Sequence, residues 1–253
     1  MGRLALIDVR PMPGTLRAIV FYAGLVPHTV FFALLGILIR PLPFFPRYRI
    51  ITRWTHITLW WLKLSCGLTH RVHGRENIPP GPAIIMCKHQ SAWETMALQL
   101  IFPPQVWVLK RELLWIPFFG WGLASLESIA LNRQAGHKAL RQLVAQGKER
   151  LARGIWVTLF PEGTRTAPGQ RGRYNIGGGL LAAETGVPVV PVAHNAGRYW
   201  PRQSLRKRPG CIDLVIGAPI SSRGRSARQI VAAAEEWIET TMQTLDEPAP
   251  ATP

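Results

Sequence analysis

The sequence predicts an α/β domain, with a mixed, largely parallel sheet flanked by helices, behind an N-terminal hydrophobic helical segment. Three observations predict it. From residue 83 onward, short apolar runs alternate with stretches of helical periodicity, the pattern of strand–helix–strand units. Polar and charged residues follow directly on several of those runs, where α/β sheets collect their functional side chains. The first 70 residues lack this alternation and are apolar and aromatic instead.

Residues 18–39 form a run of 22 without Asp, Glu, Lys or Arg. As a helix the run is about 33 Å long, enough for a hydrocarbon core of about 30 Å. Pro27 and His28 interrupt it, predicting a kink or a re-entrant bend. Arg3, Arg10 and Arg17 precede the run and Arg40, Arg47, Arg49 and Arg53 follow it, so charge defines no inside end. A second aromatic stretch, 54–68, carries Trp54, Trp60 and Trp61. Residues 1–70 therefore read as a helical membrane-docking segment, with the Gly- and Pro-rich residues 71–82 as its exit linker. The alternative is a buried pair of core helices. The second domain runs over 71–247, and 248–253 reads as a disordered tail.

Within that domain, 83–87, 105–109, 128–131, 155–160, 187–193 and 212–216 read as strands. Residues 91–102, 136–153, 178–185 and 226–245 read as helices, the last with Ser226 and Gln229 as a capping box. If the strands are parallel, His89, Lys110, Arg133 and the segment Glu162-Gly163-Thr164-Arg165 meet at one sheet edge.

Composition narrows the partners. The chain has 253 residues, 47% hydrophobic, and 30 Lys+Arg against 14 Asp+Glu give a net charge of +16. Such a chain seeks polyanions, and ten tryptophans favour an anionic membrane over nucleic acid, for which no motif is present. The three cysteines show no CxxC spacing and the seven histidines no HxxxH or HExxH, so no metal site is expected and the thiols read as small buried hydrophobes.

His89 and Glu94 are five residues apart. On one helix they would point roughly 140° apart, so they meet only if His89 lies in a loop and Glu94 in the first helical turn after it. A histidine held by a carboxylate is a general base suited to an alcohol. Ser91-Ala92-Trp93-Glu94 is also S-x-x-E, a helix capping box, and both readings stand. Lys110 and Arg165 are suited to holding a phosphate, and turn amides around Gly163-Thr164 to an anion. Neither Ser91 nor Cys87 is well placed as a nucleophile, which favours attack by a substrate hydroxyl over a covalent intermediate.

Four blocks in order resemble the glycerolipid acyltransferases, and in particular the bacterial 1-acyl-glycerol-3-phosphate (lysophosphatidate) acyltransferases. His89-Gln90-Ser91-Ala92-Trp93-Glu94 resembles the HxxxxD block. Residues 128–133, ending in Arg133, resemble the second, Phe160-Pro161-Glu162-Gly163-Thr164-Arg165 matches FPEGTR, and 187–193 resemble the fourth. Residues 110–120 are similar to the segment between the first two blocks. The resemblance spans about 70–220. It implies that His89 deprotonates the free hydroxyl of 1-acyl-glycerol-3-phosphate, with Glu94 orienting the ring. The hydroxyl attacks the thioester of acyl-CoA or acyl-carrier protein, giving phosphatidic acid without a metal or other cofactor. Lys110, Arg133 and Arg165 would bind the acceptor phosphate, and Glu162, Gly163 and Thr164 would shape its site. It further implies the inner membrane, with the catalytic domain facing the cytoplasm, anionic lipids at the docking segment and no nucleic acid. Two positions depart from the pattern: Glu94 stands where Asp is usual, and Lys88 where Asn is common, which sets a cation beside the base. The alternatives are the same chemistry on glycerol-3-phosphate or another lysophospholipid, and a non-catalytic basic lipid-binding membrane protein.

Overall fold

A computed structural model describes residues 13–246. Arg3, Arg10 and the expected tail 248–253 lie outside the described residues. Among the described residues, seven strands form one sheet: β1 (Leu68–His73), β2 (Ile84–Cys87), β3 (Gln105–Lys110), β4 (Ile129–Leu131), β5 (Trp156–Leu159), β6 (Val189–His194) and β7 (Gly210–Ile216). Their spatial order is β1-β7-β6-β2-β5-β3-β4. The helices are α1 (Gly14–Leu38), α2 (Phe44–Ile51), α3 (Arg53–Cys66), α4 (Trp93–Ile101), α5 (Phe119–Ser125), α6 (His137–Ala152), α7 (Gly177–Thr185), α8 (Ala196–Tyr199) and α9 (Ala227–Asp246).

Strands β6, β2, β5, β3 and β4 are mutually parallel, so their carboxyl ends share one edge. The sheet is mixed because β7 runs antiparallel to β6 and carries β1 with it in parallel. The sequence predicts a mixed sheet, but neither β1 nor which strand reverses. Leu-Thr-His-Arg-Val-His has a polar edge-strand composition, and its last three residues fall where a linker is expected. Its ladder partner, β7, lies about 140 residues downstream, with Leu68 opposite Gly210.

Alternation along the central strands divides the core in two. Ile85 and Cys87 of β2 face one layer, with Phe21, Leu62, Trp93 and Trp107. Ile84 and Met86 face the other, with Leu181, Ile230 and Ile238. Helices α1, α3 and α4 therefore cover one face of the sheet, and α6, α7 and α9 the other. Ser226 and Gln229 form the reciprocal cap of α9: the Ser226 amide donates to Gln229 Oε1 at 2.8 Å and the Gln229 amide to Ser226 Oγ at 3.3 Å.

At the N-terminus, the expected re-entrant bend is absent. α1 continues through Pro27, and neighbouring elements grip it along its length. Trp61 Nε1 donates to Phe21 O at 3.2 Å, Trp54 Nε1 to Thr29 Oγ1 at 3.1 Å, and Gly36 lies against Ser125 of α5. The second stretch, 54–68, falls mostly in α3, which a break at Thr52 separates from α2; the Thr52 hydroxyl donates to Tyr48 O at 2.8 Å. The outward sides of α1 and α3 leave Ile19, Phe31, Leu34, Leu38, Ile57, Trp60 and Leu64 exposed.

Candidate active site

The carboxyl ends of β2, β3, β4 and β5 line a cleft of about 640 Å³. His89, Lys110, Arg133, Gly163, Thr164 and Arg165 all line it, as a parallel sheet requires. β2 ends at Cys87, and the chain leaves the sheet as a loop before α4 starts at Trp93. That loop lets His89 and Glu94 meet: Nδ1 lies 2.8 Å from Glu94 Oε1. The same oxygen accepts the amides of Gln90 (3.0 Å) and Ser91 (2.8 Å), and Ser91 Oγ accepts the amide of Trp93 (3.2 Å). The contacts required by each reading of Glu94 are therefore present together. One carboxylate oxygen closes the helix start and takes the imidazole N–H.

The electrostatics follow. Burial acts to raise the Glu94 carboxyl, but His194, His89 and the Ser91 amide outweigh it and hold the group below the usual carboxylate value. Burial in turn lowers His194, whose Nδ1 accepts the Ala196 amide (3.2 Å) while Nε2 donates to Lys88 O (2.9 Å). His194 is thus neutral near pH 7, and the carboxylate there rests on His89 and the two loop amides. An ionised Glu94 accepts the hydrogen on Nδ1, leaving the lone pair of His89 on Nε2. The imidazole stacks on Phe160 (centroids 3.9 Å apart, planes 13°), and Phe160 stacks on Trp107 (5.8 Å, 6°). Residues on or just after three adjoining strands thus fix the plane of the ring.

Around the mouth, Lys110 Nζ lies 3.7 Å from Glu112, and Arg133 donates to the carbonyl of Gly163. That turn needs glycine: φ is +71°, and a Cβ would meet Asn175 and Arg133. Arg165 Nε is buried without a hydrogen-bond partner among the described residues. The cleft shares Trp54, Gln99, Phe119 and Leu123 with a narrow apolar pocket between α1, α3 and α5.

A family model described as Acyltransferase matches residues 69–195, half of the chain. The chain belongs to the acyltransferase family. It is 44% identical over 232 residues to a 1-acyl-sn-glycerol-3-phosphate acyltransferase of Pseudomonas aeruginosa, covering 90% of each. It is 32% identical over 199 residues to one of Saccharomyces cerevisiae, covering 74% of this chain and 63% of that protein. The crystal structure of the 1-acyl-sn-glycerophosphate (LPA) acyltransferase PlsC of Thermotoga maritima superposes with a TM-score of 0.76. Its 24% identity, over 93% of this chain and 97% of that one, supports the shared fold.

Two expected placements differ in this acyltransferase. The Glu162 side chain is absent from the cleft wall; it lies behind the histidine, fully buried. Its Oε2 accepts the His89 amide (3.0 Å), and its Oε1 accepts Lys88 Nζ (2.8 Å), the Gly172 amide (3.1 Å) and Thr166 Oγ1 (3.2 Å). Lys88 likewise turns away from the imidazole. It is 1% exposed and donates to Glu162, to Glu239 of α9 (2.8 Å) and to Gln170 O (3.0 Å). Adjacent residues leaving a strand point to opposite faces, so the cation next to the base in sequence lies across the sheet from it.

Sequence reasoning passes over two groups. Arg202, which opens a basic run with Arg206, Lys207 and Arg208, lines the cleft and donates to Arg165 O at 2.6 Å. Glu239 sits on a helix whose apolar stripe conceals one inward carboxylate. Both lie beyond the matched 69–195, where no motif points to them.

The triple role of Glu94 Oε1 yields a graded prediction. Glu94→Gln keeps an acceptor but removes the charge that stabilises an imidazolium, and turnover should fall roughly 100-fold. Glu94→Asp keeps the charge one methylene short and should retain more activity than Gln. Full activity in Glu94→Gln would reduce the residue to a helix cap.

Proposed function

We propose that this acyltransferase moves a fatty acyl group from acyl-CoA or acyl-carrier protein to the free hydroxyl of 1-acyl-glycerol-3-phosphate, forming phosphatidic acid, with His89 as general base. The observation that carries the reading is the 2.8 Å His89–Glu94 contact in a cleft ringed by cations and joined to an apolar pocket. Nε2 takes the hydroxyl proton as the oxygen attacks the thioester carbonyl. The tetrahedral intermediate expels the thiolate, and the imidazolium returns the proton to sulfur. Glu94 stabilises the imidazolium between the two steps.

Direct attack is favoured over an acyl-enzyme. Burial pushes the Cys87 thiol well above its ordinary value, with the Glu94 and Glu162 charges adding to it, and Ser91 Oγ is held by the Trp93 amide. Lys110, Arg133, Arg165 and Arg202 supply the charge for the acceptor phosphate, Arg165 and Arg202 through planar donors suited to its oxygens. Arg165→Ala should raise the acceptor KM roughly tenfold or more, because charge-assisted hydrogen bonds to phosphate are lost. The apolar pocket suits an acyl chain.

Membrane association accompanies this reading. α1 is long and apolar enough to cross a bilayer, yet α3 and α5 grip it along its length. That favours shallow insertion of the exposed faces of α1 and α3 into the cytoplasmic leaflet of the inner membrane, with the cleft on the cytoplasmic side.

The test is thiol release by purified protein with acyl-CoA and a panel of acceptors. Lysophosphatidate should outpace lysophosphatidylcholine and glycerol-3-phosphate. Equal rates with a zwitterionic lysolipid would overturn the acceptor assignment, and a preference for glycerol-3-phosphate would move it to the smaller acceptor.

A further inference from the structure

Residues 113–121 lead from β3 into the first turn of α5. Residues 113–121, Leu-Leu-Trp-Ile-Pro-Phe-Phe-Gly-Trp, are nine in succession without a charge. Trp115 is 67% exposed, Ile116 45%, Trp121 41% and Phe119 40%. Apolar side chains of this size normally supply a core, so four exposed together mark a contact surface.

The exposure is built into the backbone. The Phe119 amide donates to Pro117 O and the Gly120 amide to Ile116 O, both at 2.7 Å. Phe118 is held at φ +61°, unusual for an aromatic residue, with its ring edge-on to Trp121 at 4.9 Å. A Cβ on Gly120 would lie 2.3 Å from Leu114 O, so only glycine closes the turn.

We propose that residues 113–121 form a second membrane-inserting wedge, seated in an anionic leaflet beside the cleft. The proposal rests on the docking reading of α1 and α3 and extends it to a separate part of the chain. Continuity with α1 supports it: Phe32 and Ala33 share a pocket with Phe118, Phe119 and Gly122, and the exposed Phe31, Leu34 and Leu38 lie on the same helix. Charge supports a lipid occupant. Lys110 and Arg111 precede the wedge, and the Arg111 guanidinium lies 5.8 Å above the Trp115 ring. Basic groups at the edge of an indole-rich patch match anionic headgroups over an acyl boundary. Leu113 and Phe119 also line the cleft. Seated in lipid, the wedge would open the cleft mouth directly to the bilayer, so an amphipathic acceptor need not cross water.

The test uses the full chain with Cys211→Ser, because Cys66 and Cys87 are buried. Ile116→Cys reports on the wedge and Ile57→Cys on α3, each labelled with an environment-sensitive fluorophore. Phosphatidylethanolamine–phosphatidylglycerol vesicles are added, with and without nitroxide-bearing lipid. Blue-shifted, nitroxide-quenched emission at both positions is expected. A response at 57 alone would overturn the wedge and leave α1–α3 docking intact. No response at either would overturn the docking reading and the wedge together. A blue shift without vesicles that grows with protein concentration would assign the face to a second copy of the chain, and overturn the lipid. In the unlabelled protein, Trp115→Ser with Trp121→Ser should weaken vesicle partitioning by about tenfold, as buried apolar area is lost. Unchanged partitioning would count against the wedge.

Discussion

Replacing His89 by alanine should reduce thiol release from acyl-CoA by about 1,000-fold, within the range for loss of a positioned general base. The acceptor KM should change little, because the cations proposed to bind the phosphate sit on β3, the residues after β4 and β5, and the 201–208 loop. The variant should fold but melt somewhat lower, because the ring stacks on Phe160 and bonds the buried Glu94 carboxylate. The backbone links of His89, its amide to Glu162 and its carbonyl to the Thr166 amide at 2.8 Å, survive truncation of the ring. A low kcat with a normal KM in a protein that still melts cooperatively would thus isolate the imidazole. Equal rates in the variant and the parent would remove His89 from the chemistry.

The second large effect concerns stability. Lys88 and Glu162 are 1% and 0% exposed, and Glu239 completes the triad. Lys88→Met strands one buried carboxylate and one largely buried one. Loss of a partner from a buried ion pair costs about 3–5 kcal/mol, which in a chain of this size lowers Tm by roughly 10 °C. Asparagine should not rescue by itself because one neutral amide cannot balance two carboxylates. Lys88→Asn with Glu239→Gln should be less destabilised than the two single losses added together, a coupling that thermal melts of the four proteins can measure. Strict additivity would mean that the triad is not a unit. Activity should fall along with stability, since Glu162 also holds the His89 amide.

The parts of this structure legible in the sequence are those set by local composition. β2, β3, β5 and β6 read as short apolar runs because strands buried on both faces need such residues. Their parallel pairing then brings His89, Lys110, Arg133 and Arg165 to one edge without further information. β1 is illegible for the opposite reason: as an edge strand it carries Thr69, His70 and Arg71, and its place depends on a partner far along the chain. Lys88 and Glu162 misled through proximity in sequence to residues of the cleft. Spacing reveals which residues are neighbours, but the strand pleat decides which side each one faces. Glu94 reads as either cap or base partner because the two roles demand the same spacing, and one oxygen makes the contacts of both.

The Lys88–Glu239 contact joins residues 151 apart. Glu239 is therefore among the last parts of the described chain to leave the ribosome, long after α1 and α3. The apolar N-terminal helices are available to lipid while the loop bearing His89 still lacks the outer half of its support. Long-range contacts of this kind form late, after the entropy of closing a large loop has been met. Maturation is thus ordered in time: the N-terminal helices are complete before the loop that bears His89 gains its last support, and a message cut short before α9 should leave that loop poorly anchored.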